Sequence, residues 1–338
     1  MKVRDSRFEM LRIFSMILII IGHYAYHGFA DKLAVLNLGT KLAVFIGSIG
    51  GQVGVNLFIL ITGYFLINNT ISLKKIINIM IEVWFYSISI YLIMVILKLA
   101  EINLFNIVTT VLPIVFKEYW FATAYIILLI VVGFLNNYIC SLEQEKYKKM
   151  LMIAFLIWSV IPTFLYGDMY ENELIRFIIM FYVGGYIRKH NVQIKNCLLI
   201  IVMSFSYACC IVSSVFINIL SEKYKIFSGK EFYLYGGNKV PVIFISISIF
   251  LLICKCKPYV NIYINKISST IFAAYLIHDN PYIRSLLWPD IFNYVNSSLY
   301  KFIYMGFIIS ASILLIAYVI EKIRQYIFNI FIKESVIK

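Results

Sequence analysis

Ten apolar blocks of roughly membrane-span length follow one another along the chain, and nothing between them is long enough to be a soluble domain. They lie at about 9–29, 44–67, 76–98, 119–140, 149–166, 172–188, 196–217, 239–254, 267–288 and 299–321. Crossing the hydrocarbon of a bilayer takes roughly 20 apolar helical residues. A backbone in that medium must satisfy its own hydrogen bonds, which makes the helix the repeating element. Composition agrees: 62% of residues are hydrophobic and 14% charged, with mean hydropathy +0.88, too little polar surface for a soluble domain. The expected fold is all-α, a polytopic integral membrane protein of about ten transmembrane helices.

Charge orients it. Of the 30 Lys and Arg residues, 19 fall on one set of flanks, from Lys2, Arg4, Arg7 and Arg12 to Lys333 and Lys338; 10 fall on the other, and Arg176 lies inside a block. The positive-inside rule then puts both termini in the cytoplasm, with an even number of spans. The same distribution accounts for the net charge of +13 without nucleic acid, for which there is no basic groove interleaved with aromatics and no binding module. The six cysteines match no zinc or disulfide spacing and read as small buried residues. The N-terminus has some features of a cleaved signal peptide, but Glu9 and Arg12 reach deeper than a signal's basic region, so the first block reads as a retained span. Residues 99–118 are too long and apolar for a turn and predict a re-entrant or interfacial piece. Residues 218–238 read as the longest polar loop, on the outer side. No internal repeat is visible, against transporters built from duplicated halves.

The first block, FEMLRIFSMILIIIGHYAYH, holds an unusual pair. Arg12 and His23 are eleven residues apart, about three helical turns, so they share one face and stand roughly 16 Å apart along the axis. Ionisable groups at that depth are costly and face a cavity or a partner. Glu9 sits one turn before Arg12 and can orient it. His27 follows His23 by one turn, but a zinc site would need further ligands, so no metal is expected and His27 reads as an outer-interface residue. The second block carries Gly50, Gly51, Gly54 and Gly63, which suit close helix packing, with Asn56 and Thr62 as interhelical hydrogen-bond partners. In the ninth block His278, Asp279 and Asn280 stand just before Pro281, where the helix must bend or end. Two readings stay open: the group lines a cavity at a helix break, or it ends a short span at the outer interface. Glu82 reads as the partner of a cation or of a polar group.

Arg12-x10-His23 preceded by Glu9, GVNLFILITGYFL, the Tyr119-Trp120-Phe121 start of a span, FYVGGYIRKH and AYLIHDNP, in this order, resemble the membrane acyltransferase-3 family. The resemblance covers nearly the whole chain. It implies a single transmembrane domain over 1–338 with no fused soluble domain. It also implies a multi-pass protein of the bacterial cell (cytoplasmic) membrane that O-acylates cell-surface or lipid-linked glycans. Acetyl-CoA is the implied donor, arriving from the cytoplasm, and an O-acetyltransferase the implied enzyme. His23 is the candidate general base, since imidazole suits a proton taken from a sugar hydroxyl near neutral pH. Arg12, with Lys74 and Lys75, is the candidate binder of the coenzyme A phosphates. Lys74 and Lys75 stand where some members carry Arg-x-x-Arg and lack its bidentate fork. Thr62-Gly63 replaces a frequent Ser-Gly and keeps the hydroxyl. His278, Asp279 and Glu9 join His23 as candidate catalytic residues, and Tyr119 and Trp120 are candidate acceptor contacts as well as interfacial aromatics. A homo-oligomer or a separate acyl-relay chain are the candidate protein partners. The rival reading is a transporter or flippase of a lipid-linked saccharide, with His23 and His278 as proton-relay groups.

Overall fold

The computed structural model describes residues 4–69, 72–165, 172–288 and 298–336. Lys2 and Lys338, counted above among the inner charges, lie outside the described residues, as does the last residue of the 149–166 block. The described chain is helical, with no strand. In order it runs α1 (Ser6–Phe29), α2 (Leu38–Leu66), α3 (Leu73–Ile96), α4 (Leu104–Val111), α5 (Trp120–Ser141), α6 (Gln144–Phe155), α7 (Ile161–Phe164) and α8 (Glu173–His190). It continues with α9 (Asn196–Lys223), α10 (Val240–Lys255), α11 (Ile262–Ser268), α12 (Ile271–His278), α13 (Pro281–Leu286) and α14 (Leu299–Val336).

Among the described residues eight helical stretches are long and apolar enough to cross a bilayer, and the chain is a multi-pass membrane protein. The expected ten differ from these by two blocks. The block at 172–188 is α8, whose 18 residues carry Glu173, Arg176, Arg188 and Lys189, too many charges for an ordinary span. The block at 267–288 is broken at Ser269–Thr270 and again at Asp279–Asn280 into α11, α12 and α13. Both are packed into the bundle: α8 lies on α2 and α5, and α12 on α1, α3 and α14.

α1 and α2 form the centre, and the closeness of their packing follows from glycine. A Cβ on Gly22 would fall 2.6 Å from Gly51, and one on Gly63 would fall 1.9 Å from the carbonyl oxygen of Phe181 in α8. With no side chain at these points the backbones touch, as small residues allow in apolar bundles. The packing role expected of the second-block glycines therefore holds along α2. Of the polar residues expected to bond to neighbouring helices, Thr62 donates to Phe58 O in its own helix at 2.8 Å and also lies 3.4 Å from the Tyr125 hydroxyl of α5. Asn56 Nδ2 reaches Gly237 O at 2.8 Å, in the loop before α10.

The cations around the start of α1 have a structural task besides orientation. Arg7 donates to Cys254 O and Cys256 O at the end of α10, Lys189 to Cys140 O at the end of α5, and Lys255 to Ile194 O. Arg7 and Lys189 thereby satisfy carbonyls that a helix C-terminus leaves without partners and meet its negative dipole end, while Lys255 ties the end of α10 to the connection before α9. α14 returns to this same face, where Arg324 lies 3.6 Å from Glu82 near the start of α3. Arg324 is thus the cation that Glu82 called for. It is held in turn by Glu321, which accepts from Tyr86 at 2.9 Å. Below, this is called the N-terminal face and its opposite the far face.

The two unusual connections resolve differently. Residues 99–118 contain α4, which dips beside α3 until Val111 O accepts from Trp84 Nε1 at 2.6 Å and Thr110 O from Ser87 Oγ at 2.9 Å. Trp84 stands twelve residues, about 18 Å, back from the end of α3, so the segment re-enters the bundle. The polar loop read at 218–238 is corrected. Its first six residues belong to α9, and the rest folds over the far ends of α1 and α2, with Tyr235 buried and donating to Phe45 O at 3.0 Å. The cysteines are also corrected: Cys210 is buried, whereas Cys197 and Cys256 are exposed.

The glycine contacts give a paired test. Gly63→Ala forces a methyl group into the α8 backbone and should lower stability by about 1–3 kcal/mol, the usual range for overpacking. Gly133→Ala, with nothing within 4 Å of its Cβ, should leave the unfolding temperature of the purified protein unchanged.

Candidate active site between two cavities

Helical spacing puts Arg12, Met16, Ile19 and His23 on one face of α1, and all four line a single cavity of about 250 Å³. Phe58 and Thr62 of α2, Glu82 of α3, Trp120 and Tyr125 of α5, and Ser268, Ile271 and Tyr275 complete it. At its N-terminal end Arg12 Nη1 is held by Glu9 Oε1 at 2.5 Å, and Glu9 Oε2 accepts from Ser268 Oγ at 2.5 Å. Glu9 is 6% exposed and does not line the cavity, so it fixes the guanidinium from behind. Lys74 and Lys75 are exposed at the start of α3, outside the cavity lining.

A second cavity, about 350 Å³, opens toward the far face. Gly22, Tyr26 and His27 line it from α1, Ser48, Gly51 and Gln52 from α2, Phe232, Tyr235 and Gly236 from the folded loop, with Asp279 and Arg284. His23, Val55 and Trp120 line both cavities. His23 therefore stands in the wall between them, some three turns from Arg12.

The broken helix supplies what stands behind His23. α12 stops at His278, and Asn280 caps α13: its Oδ1 accepts from the N–H of Tyr282 at 3.0 Å, while Pro281 occupies the first helical position. The Asn280 amide donates to the Tyr119 hydroxyl at 2.7 Å, tying the break to α5. This geometry turns Asp279 inward. It is 1% exposed, with Oδ1 3.8 Å from His23 Nδ1 and 3.4 Å from Arg284 Nη1. His278 is fully buried; its Nδ1 lies 2.6 Å from Ala274 O, so that nitrogen carries the proton and the buried Nε2 keeps its lone pair. The ring centroids of His23 and His278 are 5.2 Å apart, and Trp288 lies 6.4 Å and 6.3 Å from the two. Of the two readings left open for this motif, the structure has the interior one.

A family model described as an acyltransferase domain matches residues 5–328, nearly the entire chain. The protein belongs to the acyltransferase-3 family. Comparison with curated proteins and with solved structures gives no match. It is thus a membrane acyltransferase, and its candidate residues divide by place. Arg12, His23 and Trp120 reach the first cavity, and His23, Trp120 and Asp279 reach the second. Tyr119, expected as an acceptor contact, is fully buried with its hydroxyl against Asn280 and lines neither cavity; its place is beneath the helix break. His278 packs behind His23 without lining either cavity. His27, expected at the outer interface, lines the second cavity with its ring centroid 5.1 Å from that of His23. Among the described residues no group of three or more His, Cys, Asp or Glu could hold a metal ion.

Sequence reasoning missed several residues that line the two cavities. Arg284 reads as one more outer charge until the break folds it back on Asp279. Gln52 is hidden in a glycine-rich stretch, and its only signal is the spacing of Ser48, Gly51, Gln52 and Val55 along one face of α2. Ser268 carries no motif.

A buried carboxylate beside an imidazole fixes which ring nitrogen is protonated and stabilises the imidazolium. Asp279→Asn should therefore lower acyl-transfer kcat on the order of 10²-fold while leaving the donor KM within a few-fold. Steady-state kinetics beside a thermal melt checks this; a variant that merely unfolds would lose both together.

Proposed function

We propose that the protein is an O-acetyltransferase of the cytoplasmic membrane that moves an acetyl group from cytoplasmic acetyl-CoA to a hydroxyl of a cell-surface or lipid-linked glycan. The observation that carries this reading is the position of His23 in the wall shared by the two cavities. On this reading the N-terminal face is cytoplasmic, as the positive flanks require. The coenzyme A phosphates lie at Arg12 and Lys75, and the pantetheine arm runs up the first cavity. The roughly 16 Å from Arg12 to His23 suits a long, thin arm that delivers its thioester to the imidazole.

The chemistry follows from the second cavity. A glycan hydroxyl entering from the far face meets His23, whose Nδ1 is turned toward Asp279, leaving Nε2 for proton transfer. The hydroxyl oxygen attacks the thioester carbonyl as Nε2 takes its proton, and the imidazolium is held by Asp279. The tetrahedral intermediate collapses with cleavage of the carbon–sulfur bond, and the departing thiolate takes the proton back from His23. The products are the O-acetyl ester and free coenzyme A. Arg284 holds Asp279 charged and in place, and the surrounding Trp120 and Val55 keep bulk water from the thioester.

Two substitutions test the assignment with labelled acetyl-CoA. His23→Ala should reduce transfer by about 10² to 10⁴, the usual cost of losing a general base, with normal insertion into the membrane. Residual activity within a few-fold of wild type removes His23 from the mechanism. Arg12→Lys keeps the charge and loses the planar fork. It should raise the KM for acetyl-CoA about tenfold or more with a smaller change in kcat, the cost of one charge-assisted hydrogen bond.

A further inference from the structure

Beside the second cavity lies a side pocket of about 200 Å³, lined by Gln52, Asn172, Glu173, Arg176, Gly236, Gly237 and Asn238. Gln52 and Gly236 belong to both, so the two spaces join across the far end of α2. Nothing in the acetyl-transfer step uses this pocket, yet it is built with care. Arg176 Nη1 donates to Gln52 Oε1 at 2.5 Å, fixing which end of that carboxamide is the oxygen. The amide nitrogen of Gln52 is left as a donor toward the cavities. Gly237 permits the arrangement, since a Cβ there would lie 1.3 Å from Arg176 Nη1. Asn56 anchors the same loop through Gly237 O.

Two further polar groups line the joined space without protein partners. Asn238 is 8% exposed, and its Nδ2 has no acceptor. Ser48, also 8% exposed and lining the second cavity, has a hydroxyl without a partner. Buried polar groups of this kind are ordinarily satisfied, so donors held at a cavity wall point to a polar occupant. The chemistry of that occupant is narrowed by charge. Glu173 and Arg176 bring one charge of each sign to the lining, and Glu173 is already paired with Lys117 at 3.2 Å, so neither sign dominates the pocket. Neutral carboxamides and a hydroxyl suit neutral, hydroxyl-bearing groups. The ring faces of Tyr26, Phe232 and Trp120 around the second cavity suit the apolar face of a pyranose.

We infer that the side pocket is a second saccharide subsite, so that the acyltransferase grips its acceptor through two neighbouring sugar units, one presenting its hydroxyl to His23 and the next held by Gln52 and Asn238. This rests on the glycan reading above and adds that the acceptor is an oligosaccharide rather than a single sugar. Asn238→Leu removes the unpartnered donor at nearly constant volume. Gln52→Met, a second variant in the same pocket, removes the donor that Arg176 orients.

The test compares monosaccharide with disaccharide. Binding of p-nitrophenyl N-acetylglucosaminide and chitobioside, and of the matching glucoside and cellobioside, is measured by saturation-transfer NMR on the purified protein. Acetylation of each is followed with labelled acetyl-CoA. Wild type should bind and use at least one disaccharide more than tenfold better than its monosaccharide. Either variant should cut that advantage three- to tenfold, the effect of one neutral hydrogen bond; Asn238→Leu, which lies outside the second cavity, should do so with the KM for acetyl-CoA and the monosaccharide rate unchanged. Equal use of mono- and disaccharide by wild type, or an Asn238→Leu variant that lowers both alike, overturns the subsite while leaving the glycan reading standing. Failure of every sugar to bind, with label passing to a non-sugar alcohol, overturns the glycan reading and the subsite together.

Discussion

A carboxylate sealed inside an apolar bundle must be neutralised, and the way Asp279 is neutralised organises the site. In water a charge is screened, whereas in a dry interior an unpaired one costs several kcal/mol. Asp279 meets this cost with Arg284, whose Nη1 is 3.4 Å from Oδ1, while His23 Nδ1 stands 3.8 Å away, near the carboxylate but not hydrogen-bonded to it. Both contacts need the ninth block to break where it does. An unbroken helix would continue past His278 and could not turn back to bring Arg284 beside the carboxylate five residues earlier. The break is held by Pro281, by the Asn280 cap and by the Tyr119 hydroxyl beneath it. A residue that touches neither cavity therefore still governs the geometry of the histidine that touches both.

The same economy of polar groups recurs at the other end of the first cavity. Arg12 would be a costly charge on an apolar helix were it not held by Glu9, which is itself held by Ser268. Glu82 and Arg324 neutralise one another close by and bring α14 against the start of α3. The paired charges leave a passage lined by Met16, Ile19, Phe58 and Tyr275 between Arg12 and His23. Apolar side chains predominate along the passage, with the hydroxyls of Thr62, Tyr125 and Tyr275 among them, a lining that suits the thin arm of the proposed donor. The glycine contacts between α1, α2 and α8 set its wall, because they leave no slack for α1 to rotate and turn His23 away.

How much of this could be read from the sequence depended on whether the residues concerned share a helix. Arg12 and His23 lie on one helix, where a 3.6-residue period alone predicts a common face, and the structure has them lining one cavity. The break at Pro281 was equally legible, since proline's lack of an N–H is a local fact. The depth of His278 and Asp279 was not, because a turn of error in placing a short span moves them from interior to interface. Arg284, Gln52, Asn238 and Ser268 take their meaning from distant elements, and no local pattern marks them. The loop before α10 misled for the opposite reason. Its polar and glycine residues look solvated in sequence, yet Gly237 is there to let Arg176 and Gln52 meet beneath it.

On the proposed function, His23 receives the donor from the N-terminal face and the acceptor from the far face. Reconstitution in sealed vesicles with a single orientation tests it directly. Labelled acetyl-CoA is enclosed on the side of the N-terminal face and a competent saccharide acceptor supplied only on the other. The account predicts labelled O-acetyl ester on the far side, dependent on His23, with no acetyl-CoA crossing. Transfer that occurs only when donor and acceptor share one side of the membrane would contradict it.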